Sequence, residues 1–266
     1  MAPRRLTLSC LALAVLLTAC AAPSPTRLAQ RLAQGPPSPL ILLGEQHDAP
    51  EHQALQAELV QALSRRGSLA AVVMEMAEAG RDTRAVPRDA REDAVQQALA
   101  WEHRAWPWTA YGPVVMSAVR AGVPVFGGNL PRERLREAMA DAALDAALPP
   151  EALAGQREAV REGHCGLLPE RQIGPMARVQ IARDRSLAAT ALQALVPGRT
   201  VLLIAGNGHV RRDLGVPQHL PRGQAHRVVV ARAGEAGPAL AADTVWPTPA
   251  LPARDHCAEL REHFKR

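Results

Sequence analysis

Apolar residues fall into short unbroken runs along the chain, and most of these runs end at a glycine or a charged residue. Continuous runs of four or five apolar residues are typical of strands that are covered on both faces of a parallel sheet. We therefore predict five buried strands. Their positions are 40–44, 70–74, 123–126, 201–205 and 228–231.

Helical periodicity occupies the segments between these runs. Asp48, Pro50 and Glu51 predict a helix start, and the apolar residues that follow recur at helical spacing. A long, alanine-rich and charged stretch, 132–195, predicts several broken helices between the third and fourth strands. Strands that alternate with helices indicate an α/β fold, with a mostly parallel central sheet flanked by helices and a large helical insertion. We predict a single domain over 40–266.

The N-terminus has the pattern of an export signal. Arg4 and Arg5 precede an apolar run over 6–17, which is too short for the roughly 20 residues that span a bilayer, so 1–19 are predicted to be a signal peptide. The run ends in Leu-Thr-Ala-Cys20, which resembles a bacterial lipobox with Cys20 as the lipidated residue. The alternative is an ordinary secretory signal with an incidental cysteine. No Asp follows the cysteine, which by resemblance favours anchoring in the outer membrane. Residues 20–39, rich in Pro, Ser and Gln, are predicted to be a flexible tether.

Composition changes this picture little. The chain has 266 residues, 47% of them hydrophobic, which excludes general disorder. Its net charge of +5 falls to +3 without Arg4 and Arg5, and the remaining Arg residues are interspersed with acids, so nucleic acid is not expected as a partner. Once Cys10 and Cys20 are assigned to the signal and the lipid, two cysteines remain. In an oxidising compartment Cys165 and Cys257 are expected to pair, the alternative being two free thiols.

Chemically active side chains follow the predicted strands. Strand one is followed by Glu45 and His47, strand two by Glu75, and strand four by His209. Because ligands of parallel sheets bind beyond the carboxyl ends of the strands, we expect these residues, with Asn129 after strand three, to converge. They are suited to metal ligation or acid–base chemistry, or alternatively to backbone capping within turns. Nearby, Arg211 is expected either to bind an anion or to form a surface ion pair.

Four of the seven aromatic residues lie within one segment, 101–111, which includes Tyr111, the chain's one tyrosine. His103 lies among them. Pro107 predicts the start of a helix on which Trp108 and Tyr111 share a face. The segment is either a platform for a large flat ligand or a small apolar core.

These residues together resemble the ChaN family of haem-binding bacterial lipoproteins, within the Tiki/TraB superfamily. The similarity includes the lipobox and extends in order over most of 40–217. Its main blocks are 41–48 with His52, 73–76, 106–108 with Tyr111, 128–132, 164–166, 180–185 and 206–217.

The resemblance implies a membrane-anchored lipoprotein that faces the periplasm or the cell surface and binds ferric haem in iron uptake or storage. It also implies a dimer with haem at the interface, a tyrosine iron ligand and possible transfer to a haem receptor or transporter. Tyr111 is the candidate ligand, with His103 or His164 next. Trp108 would contact the porphyrin, and Arg211 would bind a propionate.

The same superfamily implies a second function. It contains proteases that resemble metalloenzymes with paired Gly-x-x-His motifs and a glutamate. Here His47, Glu75 and His209 would hold a divalent metal, with Glu45 as a further catalytic candidate. The alternative function is therefore a metal-dependent hydrolase.

Overall fold

Six strands form one sheet in the order β3-β2-β4-β1-β5-β6, and every neighbouring pair of these strands is parallel. The computed structural model describes residues 25–35, 38–234 and 241–264, so the predicted signal peptide and Cys20 lie outside the described residues. The strands are β1 (Leu40–Glu45), β2 (Leu69–Glu78), β3 (Val125–Asn129), β4 (Thr200–Gly206), β5 (Arg227–Ala233) and β6 (Thr244–Thr248). The predicted α/β class is confirmed.

Nine α-helices accompany the sheet in the described part of the chain. They are α1 (Pro25–Gln34), α2 (Pro50–Arg65), α3 (Glu92–Ala98), α4 (Trp108–Arg120), α5 (Leu135–Ala140), α6 (Pro150–Gly163), α7 (Glu170–Gln193), α8 (Asn207–Val210) and α9 (His256–Phe264). The helices α5, α6 and α7, with short 3-10 turns, form the predicted insertion between β3 and β4. None of the helices in the described residues has the length and apolar character needed to cross a membrane.

The sheet is covered on both faces, which explains its continuous apolar strands. In β1, Ile41 and Leu43 pack in the core cluster that contains residues of α1, α2 and α4. Leu40 and Leu42 pack in the opposite cluster, with Leu187 of α7. Because alternate residues of a strand point to opposite faces, both sets must be apolar.

The structure differs from the prediction at the N-terminal segment. Within the predicted tether, α1 places Ala29, Leu32 and Ala33 in the core against α2. These three residues have the i, i+3, i+4 spacing of a buried helix stripe, which the Pro- and Ser-rich composition conceals. The folded domain thus extends N-terminally of the predicted start at residue 40.

The strand β6 is missing from the prediction. It contains Pro247 and polar threonines, and only Trp246 is buried. An edge strand tolerates proline and needs few apolar residues, because it pairs along one side only. The strand β2 is also longer than predicted, since it continues beyond Glu75 to Glu78.

Candidate functional site

The predicted strand-end residues meet in one cluster. The strands β2, β4 and β1 are neighbours in the sheet, so their carboxyl ends lie side by side. His47 Nδ1 lies 2.8 Å from Glu45 Oε1, and His47 Nε2 lies 3.8 Å from Glu75 Oε2. His209, on α8, has its Nε2 3.4 Å from Glu75 Oε1. Asn129 joins them by donating from its side chain to the Glu75 carbonyl at 2.9 Å. The predicted convergence is confirmed.

A third carboxylate, which the sequence did not single out, completes the cluster. Asp184 of α7 is 1% exposed, and its Oδ1 lies 2.6 Å from His209 Nδ1. It lies on the same helix stripe as Leu187, Ala188 and Ala191, all buried. Asp184 could have been found from the sequence, because it is an acidic residue on an otherwise apolar helix stripe. A buried carboxylate needs a charged partner, so such a position indicates a buried ion pair.

The glycines before the histidines allow neighbouring atoms to approach the backbone closely. Gly206 has φ of −56°, a conformation open to any residue. A Cβ at this position would lie 2.8 Å from His47 Nε2, and one at Gly44 would lie 2.4 Å from Val210 Cγ2. The glycines therefore let the histidine, the strand ends and α8 pack together.

The cluster is strongly charged. Burial by itself would lower the pKa of His209, but Glu75 and Asp184 outweigh it and raise this pKa to about 10. Burial would raise the pKa of Glu75, but His209 and His47 hold it well below its usual range. For Asp184 burial dominates and raises the pKa to about 6. At neutral pH, His209 is therefore an imidazolium between two carboxylates.

Tyr111 is connected to the same network. It is 1% exposed, and its hydroxyl donates to Glu45 Oε1 at 2.7 Å. Gln53 and Gln56 donate to the other oxygen of Glu45, at 2.7 and 2.6 Å. Burial and the Glu45 carboxylate raise the pKa of Tyr111 far above its ordinary value. Iron ligation by Tyr111 therefore requires its hydroxyl to leave Glu45 and become accessible.

The tryptophans pack beside Tyr111 and against the main core. Trp101 and Trp108 meet edge to face at 4.9 Å, and Trp106 meets Tyr111 in the same way at 5.8 Å. The indole of Trp108 donates to Glu92 at 2.7 Å. This is the small apolar core that the sequence analysis gave as the alternative to an open platform. His103 lies exposed in the loop before α4.

His164 and Arg211 lie together with His209 around a cavity of about 220 Å³. The Nδ1 of His164 lies 2.8 Å from the Val160 carbonyl. Arg211 forms two hydrogen bonds with Asp213, at 3.0 and 2.5 Å, so its guanidinium is already engaged in an ion pair. The ion-pair alternative for Arg211 is the one observed. Cys165, next to His164, forms a disulfide with Cys257 that ties α9 to the insertion, as predicted.

A larger cleft, of about 1230 Å³, lies beside the insertion. Eight alanines line it, together with Leu130, Leu144, Leu192 and Leu220. Its charged residues are Arg134, Glu137, Asp141 and Arg185, and His219 is its one imidazole among the described residues. Sites for small organic ligands are typically roughly 300–1,000 Å³ in volume, so this cleft has room for a macrocycle. Its lining mixes polar and apolar surface.

A divalent metal does not fit the strand-end cluster as it is arranged. Both nitrogens of His209 are engaged with carboxylates, whereas a metal ligand must be a neutral imidazole with a free nitrogen. Within the described residues, no three His, Cys, Asp or Glu side chains are placed to hold a metal ion. The hydrolase alternative is not favoured.

The fold and site define a parallel α/β protein with a buried histidine–carboxylate network and a separate cleft beside the helical insertion. The family model described as "Haem-binding uptake, Tiki superfamily, ChaN" matches residues 29–220. The chain belongs to this family, as the sequence resemblance implied.

One solved structure supports the fold assignment. ChaN of Campylobacter jejuni, described as binding haem cofacially, is similar with a TM-score of 0.65 and 22% identity, over 79% of this chain and 86% of that one. The type III effector HopBA1 is a more distant match, with a TM-score of 0.43 and 12% identity over 86% of this chain and 94% of that one. A Bacillus cereus protein is more distant still, with a TM-score of 0.37 and 13% identity over 73% of this chain and 65% of that one. No curated protein matches the sequence.

Proposed function

We propose that this protein binds haem in the 1230 Å³ cleft, as a lipid-anchored component of haem or iron uptake or storage outside the cytoplasm. Membership of a haem-binding uptake family supports the choice of ligand. The observation that carries the proposal is the cleft, whose lining combines alanine and leucine side chains with Arg134 and Arg185.

Haem needs both features. The porphyrin is a large, flat, apolar ring, and alanine side chains allow such a ring to approach the helix backbones closely. The two propionates are anionic, and arginine binds carboxylates through paired, charge-assisted hydrogen bonds. Arg134 and Arg185, both exposed, line the cleft, so the buried ring and the solvated propionates each have a suitable partner.

The compartment is inferred from the N-terminal pattern. Arg4, Arg5, the apolar run and Cys20 support export and lipidation, and the absence of Asp after the cysteine favours the outer membrane. The Cys165–Cys257 disulfide is typical of an oxidising compartment. Iron scavenged there is ferric, so we propose ferric haem, passed to or received from a haem receptor or transporter.

We also propose that haem promotes a homodimer. A porphyrin held by one protomer leaves its opposite face uncovered, and a second copy of the chain would cover that face. The cofacial haem binding described for the Campylobacter protein supports this arrangement. Light scattering should show the protein shifting towards twice the protomer mass when haem is added.

An absorbance titration with ferric haem tests the proposal. The wild-type protein should give a saturable Soret shift, and Ala189→Trp should abolish it, because Ala189 is exposed on α7 and lines the cleft. The matched control is Ala154→Trp, at an exposed position of α6 that does not line the cleft, and it should bind as the wild type does. Equal binding by both variants would exclude the cleft, and no saturable binding by the wild type would refute the function.

A further inference from the structure

We propose that the cavity of about 220 Å³ beside His209 is a binding site for a small carboxylate that carries a short apolar chain. Residues of α6, α7 and α8 line this cavity, and none of them lines the 1230 Å³ cleft. The carboxylate site is therefore a function in addition to the proposed haem binding and does not depend on it.

A buried amide without a partner marks the position of the ligand. Gln156 of α6 lines the cavity and is only 7% exposed. Its side chain makes no hydrogen bond with any described residue, and part of its amide stays accessible from the cavity. Buried polar groups in native proteins normally have a hydrogen-bond partner. The amide of Gln156 therefore indicates a place that a polar ligand group fills.

A second amide reaches the same space from the neighbouring helix. Gln180 of α7 lines the cavity and likewise makes no hydrogen bond within the described part of the chain. It lies one helical turn before Asp184, so the two side chains share a face of α7. The ion pair of Asp184 with His209 holds this face at the cavity. Each glutamine amide carries two N–H donors, so Gln156 and Gln180 together can bind both oxygens of one carboxylate.

The charged groups around the cavity favour an anion. Arg211 lines the cavity, and no Asp or Glu is found in its lining among residues 25–35, 38–234 and 241–264. Asp213 engages the Nε and Nη2 of Arg211, which leaves the Nη1 without a partner in these residues. Asp184 and Glu75 are both bound to His209. An anionic ligand therefore meets hydrogen-bond donors in the cavity and no competing carboxylate.

The rest of the cavity limits the size and polarity of the ligand. Ala159, Val160 and Leu214 supply an apolar surface, and the last two are buried. Gly163 is exposed, so the cavity opens to solvent at the end of α6. A volume of about 220 Å³ holds about seven water molecules at roughly 30 Å³ each. This space suits a short-chain carboxylate of about six non-hydrogen atoms and is too small for a fatty acid.

Calorimetric titration with butyrate and with butyramide tests the proposal, because the two probes have nearly the same size and differ in charge. The wild-type protein should bind butyrate saturably and at least about tenfold more tightly than butyramide, since hydrogen bonds to an ionised group are the stronger ones. Octanoate should bind more weakly than butyrate, because its chain exceeds the cavity.

The variant Gln156→Leu separates binding from a structural role of this side chain. Leucine has nearly the same volume and lacks the amide, so butyrate binding should weaken at least about tenfold. The melting temperature of the free protein should stay the same or rise, because a buried amide without a partner is removed. The matched control is Gln193→Leu, at an exposed position of α7 outside the cavity, and it should bind butyrate as the wild type does.

Three results would overturn the proposal. Heats that do not saturate with butyrate would exclude the site, and equal affinities for butyrate and butyramide would exclude the preference for an anion. Unchanged butyrate binding by Gln156→Leu, together with a lower melting temperature, would show that Gln156 stabilises the fold and binds no ligand.

Discussion

Replacing His209 with alanine should destabilise the protein strongly, because it leaves two buried carboxylates without their cation. Glu75 is 4% exposed and Asp184 1% exposed, and His209 contacts both. Removing one partner of a buried ion pair typically costs about 3–5 kcal/mol.

The effect should depend on pH in a defined direction. The pKa of His209 is raised from 6.5 to about 10 in the folded protein. Its contribution is therefore complete below about pH 6.5 and is lost as the pH rises through about 10. The difference in unfolding free energy between wild type and His209→Ala should be full near pH 6.5 and should shrink as the solution becomes alkaline.

Urea unfolding followed by circular dichroism measures this difference. The double variant His209→Ala/Glu75→Gln should be less destabilised than the sum of the two single variants, because it removes both charges of the pair. His256→Ala, on the surface of α9, is the control and should change stability little. A loss below about 1 kcal/mol for His209→Ala, or no coupling with Glu75, would refute the charged network described above.

Three further predictions concern other parts of the molecule. Tyr111→Phe should lower stability by about 1–3 kcal/mol, because Glu45 loses a buried donor, and it should leave the haem spectrum unchanged; a lost charge-transfer band would instead make Tyr111 the ligand. Cys165 and Cys257 should resist alkylation until the protein is reduced, and reduction should cost roughly 2–5 kcal/mol because the bond closes a long loop; labelling of both thiols without reductant would contradict the disulfide. Cys20→Ser should move the protein from the membrane to the soluble fraction of cells, and persistence in the membrane would exclude lipidation at this residue.

The sequence predicts the sheet well because both of its faces are buried. Strands such as 201–205 have no polar position, and the parallel arrangement places their ends together, so the meeting of His47, Glu75 and His209 follows from topology alone. The sequence does not predict β6 or α1, because each of them buries few residues and so lacks a continuous apolar run. Trp246 is the one fully buried residue of β6.

The environment of a side chain is harder to predict than its position. Tyr111 lies on the helix that Pro107 predicts, yet the sequence does not reveal that its hydroxyl points to Glu45, 66 residues away. Asp184 is a functional candidate only because of what surrounds it, since it faces a buried imidazolium. Such relations depend on packing between distant segments, which local pattern does not encode.

The central claim is that haem occupies the cleft between the insertion and the 3-10 helix. A crystal structure of the haem-loaded protein, with anomalous data collected at the iron edge, tests it most directly. The account predicts an iron peak within the cleft, with the propionates near Arg134 and Arg185. An iron peak at Tyr111 or in the cavity beside His164, with the cleft empty, would contradict it.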